Sequence, residues 1–406
     1  MKAQALILLL LPGTLFAQVQ ADRALLAEIR TIRAIDNHSH IPPAARPGAT
    51  PSDPVGVTPF PYPVRLRVDN PEWTRVWREM YGTADPAAAL RRKYELMREQ
   101  GDRYPARVLD RVSIDTSLVN MPALGAGQDH EHFRWVPTAD SLLYPFGGID
   151  PNPEAGEMKR PATLEECKAA VASTVRRWKG EGAVAVKIAL AYVRTLDFAD
   201  APETEAARIY AAHAATGTLP GPAEYKLLQD HLFRVVAREA GKAGLPMHIH
   251  TGIGADPWFN IAGANPLLLE PAVSDRSLRG TNFVLIHGSW PFDRQAGVML
   301  IKPNVYADFS AQTFLRSARA LSETLRAWLE WYPEKVLFGT DTYPDPGTPA
   351  SGWEEKLWLV NDTSREALAI ALTGMMADGE ITRPRALELA RMVLRGNAER
   401  LYGFAK

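Results

Sequence analysis

The chain has 406 residues, of which 46% are hydrophobic and 23% charged, as is typical of a globular protein with one large domain or two medium ones. Its formal net charge of -1 provides no basic field that would favour nucleic acid or an acidic membrane surface as a partner. Cys167 is the only cysteine, so the fold cannot depend on an internal disulfide.

The first 17 residues are typical of an export signal. Lys2 is followed by an apolar run and a Pro-Gly break, and the small residue Ala17 ends the segment. The apolar run is shorter than the roughly 20 residues needed to cross a bilayer. We therefore expect a cleaved signal peptide over 1–17, a periplasmic or secreted protein without stable membrane insertion, and a single domain over 18–406.

Eight short β-rich runs alternate with segments of helical periodicity along the remaining chain. The predicted strands span residues 33–40, 111–120, 132–140, 183–190, 246–252, 282–288, 304–310 and 335–341. Helices are predicted over 163–179, 223–243 and 317–331, and an amphipathic helix over 385–404 is expected to pack on the outside. Apolar strands that alternate with helices are typical of a parallel sheet. Eight of them predict an α/β fold, the closed (β/α)₈ or TIM barrel.

A long segment separates the first two predicted strands. Residues 41–72 are rich in proline and predict an irregular loop, whereas residues 73–105 have helical character. In this class of barrel, the loops that follow strands build the mouth of the active site. We therefore expect residues 41–105 to form an insertion that acts as a lid.

The first predicted strand ends in the sequence DNHSH, which contains His38 and His40. Side chains two residues apart on an extended strand point to the same face. Nine histidines in a chain of this length give roughly 0.2 such H-x-H pairs by chance, and this chain has three. Paired imidazoles on one face are poor core residues and good metal ligands, so the pattern predicts a metal site.

Polar residues also occur at the ends of later strands. His248 and His250 end the fifth strand, His287 ends the sixth and Asp341 ends the eighth, while Lys187 lies within the fourth. Taken alone, His287 is compatible with a core histidine and Asp341 with a turn cap. A lysine inside an apolar strand must be paired or chemically altered. Because the carboxyl ends of barrel strands meet at one face, we expect these residues to lie together.

This ordered set of residues resembles the amidohydrolase superfamily. The segments MHIHTGIGADPWFNIAGANPLLLEP, FVLIHGSWPFDRQAGVMLIKPNVYADFS and VLRGNAERLYGF resemble the amidohydrolase-2 type. They are most similar to the amidohydrolase domain that is fused to a glutamine-synthetase-like domain in some fungal and plant proteins. The resemblance implies a metal-dependent hydrolase that cleaves an amide, lactam, ester or lactone bond of a small molecule.

The resemblance also implies roles for individual residues. His38, His40 and Asp341 would bind one buried metal, and Asp341 would exchange protons with the attacking water. His250 would be a further ligand, with His248 supporting the site from a deeper layer.

Two further roles remain open at the level of sequence. His287 would bind a second metal or the substrate. Lys187 would either be carboxylated and bridge two metals, or remain unmodified in a one-metal site. Nitrogen and carboxylate ligands suit zinc, and manganese and iron are alternatives.

The substrate pocket is less well indicated. Tyr192 and Arg194 follow the fourth strand, where Arg194 would clamp a carboxylate, and Asn265 and Trp290 lie in later loops. Two alternatives to hydrolysis stay open: a one-metal decarboxylase of the same superfamily, and an exported binding protein without turnover. The sequence does not indicate an oligomeric state.

Overall fold

The computed structural model describes residues 19–44, 63–67, 69–125, 127–148, 161–254, 258–344 and 352–404. The predicted signal peptide lies outside these residues, as does most of the proline-rich part of the predicted insertion. No helix within the described ranges has the length and apolar character needed to span a membrane.

Eight parallel strands in the described part of the chain confirm the predicted barrel. They are β1 (Ala34–Ser39), β2 (Ile114–Asn120), β3 (Phe133–Val136), β4 (Val186–Ile188), β5 (Met247–His250), β6 (Phe283–Ile286), β7 (Val305–Asp308) and β8 (Val336–Leu337). Each lies inside one of the eight predicted runs. The strands pair in chain order, as β1 to β3 in one group and β4 to β8 in another.

Backbone hydrogen bonds join the two groups of strands at both edges. The amide of Lys187 donates to the carbonyl of Pro137 at 2.8 Å, which connects β4 to the segment after β3. The amide of Asn37 donates to the carbonyl of Phe338 at 2.9 Å, which connects β1 to the segment after β8. The eight strands therefore surround one interior, and the carboxyl ends of β1 and β8 lie side by side.

Helices surround the strands and follow the predicted pattern. They are α1 (Arg23–Thr31), α2 (Glu72–Tyr81), α3 (Pro86–Gln100), α4 (Tyr104–Arg111), α5 (Leu164–Gly180), α6 (Glu203–Ala214), α7 (Pro222–Lys242), α8 (Glu270–Val273), α9 (Asp293–Met299), α10 (Gln312–Leu315), α11 (Ala318–Trp331), α12 (Trp353–Ala377), α13 (Arg383–Arg391) and α14 (Asn397–Tyr402). The helices predicted from periodicity correspond to α5, α7 and α11. Side chains of Asp22, Thr163 and Ser317 accept hydrogen bonds from the first turns of α1, α5 and α11, as N-caps do.

Residues 73–105 of the insertion are largely helical, as predicted, with α2, α3 and the first residues of α4, and the segment just before them is anchored by Arg65. Arg65 pairs with Glu72 at 2.8 Å. Its guanidinium also donates to the carbonyl of Arg316 at 2.8 Å, beyond β7. The insertion therefore contacts the segment after β7, at the end of the barrel where the strands terminate.

Alternate residues of each strand face opposite sides. In β6, Phe283 and Leu285 belong to the main core between strands and helices. A second, smaller cluster contains one or two residues from each of β1, β2, β3, β6 and β8, together with Ala185 just before β4 and Ala398 of α14; the strand residues are Ile35, Leu118, Val136, Val284, Ile286 and Leu337. This cluster fills the lower interior of the barrel, so that the polar side chains further along the strands lie above an apolar layer.

The C-terminal tail differs from its prediction as an outer amphipathic helix. A π-helical turn over Met392–Gly396 separates α13 from α14. Ala398 joins the inner cluster, and Leu401, Tyr402 and Phe404 pack against it. The tail therefore closes the lower end of the barrel, and its apolar residues face the strands from below. Such a placement cannot be distinguished by periodicity from packing on the side.

Candidate metal centre

His38 and His40 project from the end of β1 toward a carboxylate after β8. Nε2 of His38 lies 3.2 Å from Oδ1 of Asp341, and Nε2 of His40 lies 3.6 Å from the same oxygen. His38 is 1% exposed. The pairing of β1 with β2 is irregular between Asp36 and Ser39. The structure therefore brings together the three residues that the resemblance assigns to one metal.

Two further histidines complete the other side of the site. His250 ends β5 and His287 follows β6, and Nδ1 of His250 lies 3.1 Å from Nε2 of His287. Nδ1 of His287 is 3.9 Å from Oδ2 of Asp341. His287 and Asp341 have left-handed backbone conformations, with φ of 68° and 57°. Such conformations are strained for residues other than glycine and concentrate at functional sites.

Lys187 reaches the same centre from β4. Its Nζ lies 3.2 Å from Nε2 of His38, and the residue is 2% exposed. In the strand register it pairs with His248, which also faces the interior. The lysine predicted from the apolar fourth strand is thus part of the cluster of predicted ligands.

Burial sets the protonation states of the cluster. Loss of water lowers the pKa of His38, His250 and His287 well below the ordinary value, and the nearby Lys187 lowers each further. Burial raises the pKa of Asp341 to about 6, against the opposing effects of His40 and Lys187. At neutral pH the site therefore offers neutral imidazoles and a carboxylate, which are the forms that bind metals.

Hydrogen bonds show which ring nitrogens are available as ligands. Oγ of Ser310 donates to Asp308 at 2.7 Å, so it accepts from the protonated Nδ1 of His287 at 3.0 Å. Nε2 of His287 is then unprotonated and accepts from Nδ1 of His250. Nε2 of His250 keeps a lone pair, is buried and has no hydrogen-bond partner among the described residues.

This arrangement fits a divalent metal. Ligand atoms of His38, His287 and Asp341 all lie within 4.8 Å of one another. A buried nitrogen without a partner, as at His250, is costly unless something accepts its lone pair. Neutral imidazoles with one carboxylate are a common ligand set for zinc and related ions.

Asp308 at the end of β7 supports the site, although the sequence analysis did not single it out. Its carboxylate accepts hydrogen bonds from the amide of His287 and from the side chain of Asn37, both at 2.8 Å. A Cβ at Gly339 would lie 2.9 Å from Oδ2 of Asp308, so the neighbouring segment needs a glycine there. The signal was present, because Asp308 ends a predicted strand as the metal-site residues do.

Asp36 was also missed, and it joins β1 to β2 and to the segment after β8. Its carboxylate accepts from Oγ1 of Thr340 at 2.7 Å and from Oγ of Ser117 at 3.0 Å. Burial raises the pKa of Asp36 to about 7. Asp36 thereby fixes the end of β1 against β2 and the segment after β8.

His248 lies below His250, in the deeper layer predicted for it. Its ring centroid is 6.3 Å from that of His38. Nε2 of His248 makes a 2.7 Å hydrogen bond with the hydroxyl of Tyr402. His248 therefore contacts the tail, and its position agrees with support of the ligands from below.

Two of the four predicted substrate residues lie beside the histidines. The ring of Tyr192 is 4.4 Å from that of His250, centroid to centroid. The backbone amide of Trp290 donates to the carbonyl of His287 at 3.3 Å. Tyr192 and Trp290 therefore remain candidates for the wall of a substrate pocket.

The other two predicted substrate residues, Asn265 and Arg194, bind neighbouring parts of the protein. Oδ1 of Asn265 accepts from the amide of Leu267 at 3.0 Å and caps a short helical turn. Arg194 pairs with buried Asp230 at 2.6 Å and donates to Gln229 at 2.9 Å. These contacts favour a structural role for Arg194 over the predicted carboxylate clamp, because the neighbouring carboxylate already occupies its guanidinium.

The chain is similar to several known proteins. The family described as amidohydrolase matches residues 35–404. A curated relative, the protein fluG of Emericella nidulans, is 31% identical over 186 residues, which are 44% of this chain and 20% of fluG. The chain thus spans about a fifth of that relative's length.

Solved structures share the fold at low sequence identity. A Lactobacillus casei protein described as a metal-dependent hydrolase has a TM-score of 0.65 at 16% identity, with 95% of this chain and 98% of that chain covered. Glucuronate isomerase from Caulobacter crescentus has a TM-score of 0.58 at 15% identity, with 95% and 94% covered. These similarities support the barrel fold.

Proposed function

Because the chain belongs to the amidohydrolase family, we propose that it is a metal-dependent hydrolase that cleaves an amide, lactam, ester or lactone bond of a small molecule. The observation that carries this proposal is the buried cluster of His38, His287 and Asp341, whose ligand atoms lie within 4.8 Å of one another. Family members include enzymes of other reaction classes, so the bond type rests on the chemistry of this cluster.

The proposed metal ligands come from both sides of the cluster. His38, His40 and Asp341 would hold one ion, with the unpartnered Nε2 of His250 as a further ligand. His287 would bind a second ion or the substrate. Zinc is proposed because imidazole and carboxylate ligands suit it, and manganese or iron are alternatives.

The proposed reaction depends on proton transfer by Asp341. A bound divalent metal would supply an acidified water molecule and a polarised carbonyl group. The carboxylate of Asp341 accepts the proton of the attacking water and later delivers it to the leaving group, as a general base and then a general acid. Its raised pKa, about 6, suits both roles near neutral pH.

The state of Lys187 would set the number of metals. For carboxylation the ammonium first loses a proton, and the neutral amine then adds to carbon dioxide and releases a second proton, which converts a cation into an anion. An anion beside His38 would bridge two ions, whereas an unmodified amine would leave a one-metal site. Burial of Lys187 favours the modified form because an ammonium is costly to bury.

The test is metal content per chain, measured by elemental analysis with and without bicarbonate, followed by a panel of amides, lactams, esters and lactones. Hydrolysis that depends on added metal would support the proposal, and two ions that require bicarbonate would support a carboxylated Lys187. One ion with release of carbon dioxide from carboxylated rings would favour the decarboxylase. Failure to bind metal after reconstitution would overturn the proposal and favour a binding protein.

The export signal read from residues 1–17 supports a proposed location outside the cytoplasm. N-terminal sequencing of protein recovered from the periplasm or medium tests this. A mature chain that begins near residue 18 is expected, and an intact Met1 in a cytoplasmic fraction would contradict it.

A further inference from the structure

A chain of hydrogen bonds connects the tail below the barrel to the metal centre. The hydroxyl of Tyr402 contacts both Nε2 of His248, at 2.7 Å, and Oδ1 of Asn37. Nδ2 of Asn37 donates to Oδ2 of Asp308 at 2.8 Å. Oδ1 of Asp308 accepts from the backbone amide of His287 at 2.8 Å. One residue of α14 therefore reaches two histidines of the site along two branches.

The direction of each bond follows from the groups involved. The carboxylate of Asp308 accepts, so it faces the amide nitrogen of Asn37, and Oδ1 of Asn37 is left as an acceptor. Tyr402 has a single hydroxyl proton, which it donates to that oxygen. The remaining bond, to His248, must then be donated by the ring, so Nε2 of His248 carries a proton.

The direction of this bond also bears on the protonation state of Nδ1, the other ring nitrogen of His248. Nδ1 of His248 has no acceptor among the described residues, so a second proton on the ring would be buried without a partner. Nδ1 is then unprotonated, is buried, and has no hydrogen-bond partner among the residues that the structure describes. It presents a lone pair to the interior next to Lys187, with which His248 is paired in the strand register.

We infer that Tyr402 is a positioning residue of the metal centre, which holds His248 in its Nε2-protonated tautomer and aligns His287 through Asn37 and Asp308. The positioning depends on the hydroxyl of Tyr402, since a phenylalanine ring alone would fill the same space below the apolar layer. The consequence for metal binding rests on the proposed function, whereas the tautomer of His248 does not.

The test compares Tyr402→Phe with the unchanged full chain. Selective ¹⁵N labelling of histidine reports which ring nitrogen is protonated, and a His248→Gln variant identifies the resonances of His248. We expect a protonated Nε2 and an unprotonated Nδ1 in the metal-free chain, and loss of this preference in Tyr402→Phe. Metal affinity is expected to fall by about tenfold or more, as when other outer partners of metal ligands are removed.

Tyr210→Phe is the matched control. Tyr210 lies on α6 and is buried, and its hydroxyl donates to the carbonyl of Pro161 at 2.9 Å, just before α5 and not at the site. This variant should lose stability comparably while its histidine spectrum and metal affinity stay unchanged. Equal effects of the two variants on metal affinity would reduce Tyr402 to a general structural role and overturn the inference.

The two proposals can fail separately. A protonated Nδ1 of His248 in the unchanged chain would overturn the inference even if the protein hydrolyses its substrates, and this measurement needs no folded variant. A chain that binds no metal but shows the expected tautomer would overturn the hydrolase proposal and leave the arrangement of Tyr402 and His248 intact.

Discussion

Oδ1 of Asp341 lies 3.2 Å from Nε2 of His38; Asp341 follows the last strand of the barrel and His38 lies on the first. Backbone bonds hold the same two segments together, because the amide of Asp341 donates to the carbonyl of His38 at 2.8 Å. The position of the proposed proton carrier relative to a proposed metal ligand is therefore fixed by barrel closure itself.

Replacement of Asp341 by Asn is expected to keep the fold and much of the metal but to lower turnover by about 10²–10⁴-fold, since it removes the general base. Asn tolerates the left-handed backbone of this position better than most residues. Steady-state rates and metal content measure both effects. Asp378→Asn, which changes an exposed carboxylate paired with Arg326, is the control. Rates like those of the unchanged chain would remove Asp341 from the mechanism.

Replacement of His38 by Ala is expected to lower metal affinity by at least about tenfold, because its Nε2 faces both Asp341 and Lys187. Elemental analysis after dialysis against a weak chelator measures the loss. His213→Ala is the control, since His213 lies on α6, is half-buried and hydrogen-bonds Thr218. Unchanged metal content in His38→Ala would contradict the role assigned to β1.

Metal binding should weaken as the pH falls through about 6. In the metal-free chain, burial raises the pKa of Asp341 to about 6, so this carboxyl is protonated below that pH and must release its proton when a metal binds. Affinity should then fall by up to about tenfold per pH unit. Calorimetry in buffers of different ionisation enthalpy would detect one proton released from Asp341 at pH 5 and none from it at pH 8. The same release in Asp341→Asn would assign the proton to another group.

Replacement of Arg194 by Gln tests the carboxylate clamp predicted from the sequence. The side chains of Arg194 and Asp230 are 9% and 3% exposed. Loss of this buried ion pair should therefore lower the free energy of unfolding by about 2 kcal/mol. The loss is limited because Lys226 also pairs with Asp230. KM should remain unchanged. Chemical denaturation and kinetics measure the two effects.

Arg177→Gln, at an exposed pair with Glu181, is the control for Arg194→Gln and should cost little stability. A large rise in KM for an anionic substrate, at unchanged stability of Arg194→Gln, would restore the predicted clamp.

The sequence was sufficient for the order of the strands and for several of the polar side chains that the structure brings together at one end of the barrel. Alternation of apolar runs with helical segments predicted all eight strands, because buried parallel strands are apolar throughout. Polar residues within or at the ends of such runs are unusual, and this singles out His38, Lys187, His250 and Asp341 as candidates for the site. Their convergence then followed from the geometry of a barrel.

The features that could not be predicted depend on contacts between segments that are distant in sequence. Asp36 resembles an ordinary strand residue until Thr340 and Ser117 are seen to donate to it. Arg194 was assigned to a substrate because Asp230, its partner on α7, is remote in sequence. The tail was placed on the side of the barrel because helical periodicity reveals an apolar face but not the surface that it covers.

The pairing of the first strand with the last also has a consequence for folding rate. Contacts such as those of Asp36 with Thr340 join segments near the two ends of the domain, and contacts of such long range make folding slow. Three of the proposed ligands, His38, His40 and Asp341, lie on these two segments, so a partly folded chain that has formed β2 to β7 still lacks a complete centre. We expect competence to bind metal to appear late during refolding, together with the final docking of β1 against β8.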